Sequence, residues 1–204
     1  MYSKSLLTLS VLSVCFSVVR SHGLITGVNG ANGVTGQAFG TIESTPRDGS
    51  GAKPFQQDTS IIRDREIASG KTGGCGRTPA GGENVLSTEL PKAESAGLAS
   101  VGADGKVRMT LHQVNQDGAG PFTCDVDTNA DGKDFQKMKV DKNVPGFAGL
   151  SRATAADIPL VASMPAGAKC TGGADGQTCI VRCRNGAAAG PFGSCVAVTQ
   201  AKQS

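Results

Sequence analysis

Apolar and polar residues alternate most clearly in the segment Gly105–Gln113. Its apolar positions are Val107, Met109 and Leu111, and its polar positions are Arg108, Thr110 and His112. Because successive side chains of a strand point to opposite faces, this period of two predicts a β-strand with one buried face. His112 would lie on the polar face of that strand.

Shorter apolar segments recur along the chain, separated by stretches rich in Gly, Pro and Asn. They predict strands at residues 23–28, 121–126, 160–164, 178–184 and 195–199, and a helix or strand at 59–67. Residues 71–84 and 127–134 have the composition of loops and turns. Many short strands with few helical periods predict an all-β fold, an antiparallel sandwich or barrel.

The first 21 residues have the pattern of a secretory signal peptide. Lys4 supplies a positive start, and the run Leu6–Val19 is apolar but short for a membrane span. The small residues near its end favour cleavage after Ser21, with cleavage after Ser17 as the alternative. Cleavage after Ser21 would make His22 the first residue of the mature protein.

The mature chain is then expected to consist of one domain at residues 22–199 and a flexible tail at 200–204. No second apolar segment of spanning length follows the signal, so no integral membrane segment is expected. Loss of Lys4 and Arg20, with no acidic residue, lowers the net charge from +3 to +1. A balance so close to neutrality, without a basic cluster, gives no indication of nucleic-acid binding. We expect a monomer.

The mature chain keeps six of the seven cysteines, because Cys15 leaves with the signal. The six are Cys75, Cys124, Cys170, Cys179, Cys183 and Cys195. An even number of cysteines in an exported chain predicts three disulfides, for which 15 pairings are possible. Cys170 and Cys179 lie close together in the sequence, which favours a local bridge between them. A zinc site would need reduced thiolates, and the Cys179-x3-Cys183 pair lacks histidine partners.

Two histidines remain in the mature chain, His22 at its expected first position and His112 on the predicted strand. A first-residue histidine offers its α-amine and a ring nitrogen, and a second imidazole completes a set of three nitrogen ligands. Cu(II) favours such tetragonal nitrogen ligation. The pair therefore predicts a copper site; the simpler alternative is an arbitrary first residue and a surface histidine on a strand.

A second metal-binding motif is incomplete. Asp127, Asn129 and Asp131, followed by Gly132, match the first half of a calcium loop, but Met138 stands where the bidentate glutamate is expected. An Asx-rich turn between two strands explains the same residues, and we favour the turn.

Longer motifs resemble those of the fungal appressorium-associated virulence factors of the Gas/Mas type. They are the run Leu111–Cys124, the turn Asp127–Gly132, the tetrapeptide Asn143–Gly146, and the segments Cys179–Gly186 and Gly190–Cys195. The resemblance covers nearly all of the mature chain. It implies a small fungal protein that is made in infection structures such as the appressorium and is needed for penetrating a host surface. From this resemblance together with the signal-like start, we expect the protein to be secreted or held in the cell wall. The resemblance does not supply a reaction.

The start Ser21-His22-Gly23, together with His112, also resembles the lytic polysaccharide monooxygenases. These enzymes bind copper through a histidine brace on an immunoglobulin-like β-sandwich. The resemblance implies that His22 and His112 bind copper and that Phe192, or less closely Phe122, is the axial aromatic. It also implies two further candidates, Asp117 and Asp125, because some relatives that bind copper without oxidising sugars place a carboxylate near the metal.

Together these patterns predict an immunoglobulin-like antiparallel β-sandwich with long Gly-rich loops and about three disulfides. Two functions stay open. One is a non-catalytic virulence factor that acts at a host surface or cell-wall polysaccharide and binds glycan, protein or copper, and the other is a copper-dependent monooxygenase that oxidises such a polysaccharide. The mature chain contains no Trp and no Tyr. Flat polysaccharide-binding faces rely on aromatic rings, so this absence favours the first function and leaves enzymatic activity open.

Overall fold

The computed structural model describes residues 22–200, so the predicted signal peptide, its cleavage site and residues 201–204 lie outside the described residues. The strands are β1 Gly23–Asn29, β2 Thr35–Gly36, β3 Ser60–Ile61, β4 Arg77–Thr78, β5 Gly82–Glu83, β6 Ala99–Ser100, β7 Lys106–Gln113, β8 Phe122–Asp127, β9 Phe135–Lys137, β10 Lys139–Lys142, β11 Ala156–Ser163, β12 Thr178–Asn185 and β13 Phe192–Thr199. The helices are α1 Asp64–Ala68 and α2 Leu86–Ala96, with a single 3-10 turn, η1, at Gln116–Gly118.

These strands form two sheets that share one core. The first sheet has the order β10-β11-β7-β1-β2, and the second has the order β5-β4-β3-β13-β12-β8-β9, with β6 beside β13. Apart from the parallel pair β6–β13, the strand pairs of residues 22–200 are antiparallel. The main core joins Leu111 of the first sheet with Val126, Val181 and Val196 of the second. The predicted all-β, antiparallel sandwich is therefore confirmed.

Strand β7 follows the predicted alternation and departs from it at one end. Val107 and Met109 are buried and Arg108 is exposed. His112 has the parity of the polar face, yet it is only 2% exposed. Strands β1 and β11 flank it on both sides, with Leu24 and Asp157 directly opposite. The alternative of a surface histidine is therefore wrong: His112 is buried at an end of β7 where Leu24 and Asp157 of the two flanking strands lie directly opposite it.

Three disulfides fasten the domain, as predicted. They join Cys75 to Cys195, Cys124 to Cys183 and Cys170 to Cys179. The first two link positions 120 and 59 residues apart, and the third closes a short loop before β12. Each such bridge contributes about 2–4 kcal/mol to stability, which matters in a core built mainly from Val, Ala and other small side chains.

Helix α2 is the main element that the sequence pattern does not predict. Pro91 lies inside it, and a proline removes a backbone donor and usually argues against a helix interior. Leu86, Leu90 and Ala93 of this helix pack on a second apolar cluster that includes Phe39. Tertiary packing therefore stabilises a helix that local propensity disfavours.

Gln200, which the sequence assigns to the flexible tail, is part of the fold. Its backbone amide donates to the Gln177 carbonyl oxygen at 2.8 Å, and its side-chain oxygen accepts from the Cys170 amide at 2.8 Å. Within residues 22–200, no helix has the length and apolar character needed to cross a membrane.

Candidate metal centre

Strands β1 and β7 bring the two histidines to the same end of the first sheet. Leu24 stands directly opposite His112. Two residues before Leu24, immediately ahead of β1, the carbonyl oxygen of His22 accepts a hydrogen bond from the Val114 amide at 2.9 Å. Residues two apart on a strand share a face, so His22 and His112 are diagonal neighbours, a relation in which Cα atoms typically lie about 7–8 Å apart.

Asp157 orients the ring of His112. It lies directly across the ladder on β11, and its Oδ1 is 2.7 Å from Nδ1 of His112. Since an ionised carboxylate can only accept, Nδ1 carries the proton, and Nε2 of the neutral ring carries the lone pair. That Nε2 is buried and has no hydrogen-bond partner. Other buried side-chain atoms of residues 22–200, such as Oε1 of Gln113 and Nε of Arg182, also lack a partner, so the missing bond by itself does not mark a ligand. The feature that gives Nε2 the character of a metal ligand is an imidazole lone pair whose direction a carboxylate fixes.

The surroundings of His22 hold both its backbone and its ring. The residue is 4% exposed, and its main-chain nitrogen donates to Oδ1 of Asn115 at 2.8 Å. Its ring lies against Phe192, with 4.8 Å between ring centroids. If cleavage occurs after Ser21, this nitrogen becomes an amine, which can direct its lone pair to a metal while one N–H still binds Asn115.

Two glycines allow the turn η1 to rest directly on the start of β1. A Cβ on Gly118 would lie 2.1 Å from the carbonyl oxygen of His22, and a Cβ on Gly23 would lie 2.4 Å from the carbonyl oxygen of Gly118. Any larger residue would have to displace backbone. The close approach of these backbones therefore fixes the position of His22.

The four further candidates from the sequence fall into two groups. Phe192 contacts the ring of His22, and Asp117 belongs to η1, where burial raises the pKa of its carboxyl. Phe122 instead packs in the main core. Asp125 forms an ion pair with Arg182 at 3.2 Å. Phe192 and Asp117 thus lie in the region of His22, whereas Phe122 is part of the core and Asp125 is paired with Arg182.

The residues present fit a copper ion of the predicted kind. Among residues 22–200, no three His, Cys, Asp or Glu side chains gather into a metal-binding group. A histidine brace needs only two imidazoles, since its third nitrogen belongs to the main chain of the first residue. Imidazole nitrogens suit copper, and His112 offers one whose orientation is already fixed by a carboxylate.

The incomplete calcium motif forms a hydrogen-bonded turn between β8 and β9. Oδ1 and Oδ2 of Asp127 accept from the amides of Asn129 and Gly132 at 3.0 and 2.6 Å. Oδ1 of Asp131 accepts from the Lys133 amide at 3.0 Å. These are the bonds of the Asx-rich turn that the sequence favours.

Sequence reasoning gave no role to Asp157 or Asn115. Asp157 lies 45 residues after His112, and only the register of β11 on β7 brings the two together. Asn115 lies within a motif that the sequence singles out, three residues after His112, but its contact with His22 spans 93 residues. Had the pairing of β1 with β7 been expected, it would have indicated that Asn115 lies close to His22.

Comparison with known proteins identifies the family. A family model described as the Egh16-like virulence factor matches residues 20–193. The chain belongs to the Egh16-like virulence factor family. The match includes both histidines, Asn115 and Asp157, and it extends just past Phe192.

Two relatives of this Egh16-like protein are appressoria-specific virulence factors of Pyricularia oryzae. GAS2 is 37% identical over 247 aligned positions, which cover 89% of this chain and 84% of the relative. GAS1 is 40% identical over 200 positions, which cover 95% of this chain and 77% of the relative. The resemblance to appressorium-associated virulence factors is therefore confirmed. No solved structure matches the chain.

Proposed function

We propose that this Egh16-like protein is exported in infection structures such as the appressorium and assists penetration of a host surface, where it meets host or cell-wall polysaccharide. The names of its relatives support the infection role. The signal-like pattern of residues 1–21 supports export.

The proposal includes copper binding by the mature protein. The α-amine and ring of His22 and Nε2 of His112 hold the ion, and Asp157 and Asn115 orient these groups. The observation that carries this part is the buried Nε2 of His112, which has no hydrogen-bond partner and belongs to a ring held by Asp157 at the end of the sheet where His22 lies. Bound copper would supply one-electron redox chemistry at this end of the sandwich.

Copper binding is tested by titrating Cu(II) into two forms of the protein that begins at His22, one with a free α-amine and one with that amine acetylated. We expect a tetragonal, nitrogen-rich paramagnetic spectrum and tight binding for the first form only. Acetylation turns the amine into an amide and removes one of the three nitrogen ligands without adding another donor. Equal affinity and identical spectra for the two forms would contradict the site.

The infection role is tested by deleting the gene from the source fungus and scoring penetration from appressoria. Reduced penetration that the native gene restores is the expected result, and unchanged penetration counts against the role. Complementation with His112→Ala then separates the two parts of the proposal. Full rescue by that variant would mean that copper is dispensable for penetration.

A second candidate function is copper-dependent oxidation of a polysaccharide. The contact of Phe192 with the ring of His22 favours it, because an aromatic ring in this position matches the sequence-based expectation. The test incubates copper-loaded protein with chitin or cellulose, a reductant and oxygen, and searches the soluble fraction for oxidised oligosaccharides by mass spectrometry. Their absence on every substrate leaves copper binding without this activity.

A further inference from the structure

Three loops meet at the end of the sandwich where His22 lies. We call residues 114–121, 143–155 and 186–191 together the loop end. The first two loops are joined by backbone hydrogen bonds: the Gly149 amide donates to Gly120 at 3.0 Å, the Ala119 amide donates to Gly149 at 3.1 Å, and the Ser151 amide donates to Gln116 at 2.8 Å. The loops therefore form one connected surface.

Asn185 fastens the third loop to the first. Its Nδ2 donates to the carbonyl oxygens of Asp117 and Ala119, both at 2.9 Å. Its Oδ1 accepts from the Ala187 amide at 3.2 Å. Ala187 in turn lies so near the second loop that a Cβ on Gly149 would meet its Cβ at 2.7 Å. The loop end is held in one shape by a buried amide and by close backbone packing.

The loop end carries very little charge for a surface made of loops. Only Asp117 and Arg152 are charged among its 27 residues, whereas 37 of the 204 residues of the chain are charged. One acidic and one basic group leave these loops without net charge, and the Arg63 guanidinium that bonds the carbonyl oxygens of Ala189 and Gly190 is itself paired with Glu66 at 3.2 Å. A surface of this kind does not select an anionic polymer or an anionic membrane through electrostatics.

Two large apolar side chains project from this uncharged surface. Phe147 is 84% exposed and Leu150 is 50% exposed. Among residues 22–200 the only other large apolar side chain that is similarly exposed is Val85, at 43%. Phe147 and Leu150 exchange backbone hydrogen bonds of 3.0 and 2.9 Å across a tight turn. The ring of Phe147 is therefore presented to solvent from a rigid base, and grouped exposed apolar residues mark interaction sites.

We propose that the loop end docks on an uncharged polysaccharide chain, with the ring of Phe147 stacked on the apolar face of a sugar and Leu150 beside it. Neutral sugars have apolar C–H faces and many hydroxyl groups. The first suit an exposed aromatic ring, and the second can bond the peptide groups of the turn. This inference rests on the proposed role at host or cell-wall polysaccharide and names the surface that makes the contact.

A lipid bilayer fits the same surface less well. Insertion of Phe147 would carry irregular backbone of the turn into hydrocarbon, where its peptide groups would have no partners. The loop end also lacks the basic cluster that draws proteins to anionic lipid. The absence of charge and the irregular backbone therefore both favour a hydroxyl-rich, neutral partner.

The test measures how much mature protein sediments with insoluble chitin, cellulose or β-1,3-glucan. Phe147→Ala is compared with Val85→Ala, a matched exposed apolar residue outside the loop end. We expect Phe147→Ala to weaken binding at least fivefold on the polysaccharide that binds the native protein, and Val85→Ala to leave it unchanged. Thermal melting of each variant shows that the fold is retained.

Each outcome bears on the proposal. Equal losses for the two variants, no binding of the native protein to any of the polymers, or stronger sedimentation with anionic vesicles would overturn it. Copper titration of Phe147→Ala keeps the two proposals distinguishable, since copper binding should be unchanged. Conversely, loss of copper binding in His112→Ala with polysaccharide binding intact would leave the docking surface standing without the metal site.

Discussion

Glu66 and His112 are both buried and both paired with a charged partner, but they differ in what is left unsatisfied. Arg77 donates to both carboxylate oxygens of Glu66 at 2.8 and 3.2 Å, and Arg63 donates at 3.2 Å. The hydrogen bond from Arg77, helped by the other nearby cations, lowers the pKa of Glu66 to about 2. His112 has one nitrogen bonded to Asp157 and the other bare.

This difference separates a structural group from a candidate ligand. Both oxygens of Glu66 accept hydrogen bonds from arginines, so the cluster stabilises the packing of α1 on β4. A bare buried nitrogen costs free energy, and a fold keeps such an atom most readily where something binds to it. The predictions below test this contrast, from the largest expected effect to the smallest.

Replacement of His112 by Ala should produce the largest change. It removes the imidazole whose Nε2 is the proposed copper ligand, so we expect Cu(II) affinity to fall at least 100-fold, equivalent to about 2.7 kcal/mol. Isothermal titration of the mature protein measures the loss. Arg108→Ala, an exposed change on the same strand, is the control and should bind copper as the native protein does.

Replacement of Glu66 by Gln should lower the free energy of unfolding at pH 7 by about 2 kcal/mol, because it leaves the cations around it without their carboxylate. Copper affinity should not change. Urea unfolding measures the stability, with the exposed Glu43→Gln as a control that should change little. A drop in copper affinity, or no loss of stability, would contradict the assignment of Glu66 as a structural group that is separate from the proposed copper site at His112.

The same variant predicts a pH dependence. The folded-state pKa of Glu66, about 2, lies below its ordinary value of 4.5. Its contribution is therefore fully present above pH 4.5 and is lost as the pH falls toward 2. The stability difference between native protein and Glu66→Gln should shrink over that interval, and a difference that stays constant down to pH 2 would contradict the assignment.

Replacement of Asp157 by Asn should weaken copper binding about tenfold, since loss of the carboxylate partner of a metal-binding histidine typically costs 10–100-fold. The side chain of Asp157 is 66% exposed, so stability should change little. Asp104→Asn, at an exposed aspartate near the other end of β7, is the control. Loss of stability without loss of affinity would assign Asp157 a purely structural role.

Replacement of Asn115 by Ala should have the smallest effect, a threefold loss of copper affinity, about 0.7 kcal/mol, as expected for one neutral hydrogen bond. The change removes the hydrogen bond from the main-chain nitrogen of His22 to Oδ1 of Asn115, so hydrogen exchange at the start of β1 should also become faster. Gln116→Ala, an exposed change in the adjacent turn, serves as the comparison. Unchanged exchange at β1 in Asn115→Ala would argue that the glycine contacts alone position His22.

Local patterns could predict much of the framework. Alternation in β7 is a property of neighbouring residues, so the sequence reports it directly, and an even cysteine count restricts the bridges to three. Local patterns could not predict two other features. One is the division of residues 59–67 into β3 and α1, and the other is the helix around Pro91. Each depends on packing against residues that are distant in the chain, as Leu86 and Leu90 do against Phe39.

The sequence by itself determined a disulfide-bonded β-sandwich and membership of a virulence-factor family, and it predicted a signal peptide and a mature chain that begins at one of its two histidines. The tertiary structure decided that His112 is buried, that Asp157 orients its ring and that Phe147 projects from an uncharged surface beside His22. The physical reason is that strand register and loop packing join residues 45 to 93 positions apart. Such contacts leave no periodic trace in the local sequence, although they create the environment on which the chemistry depends.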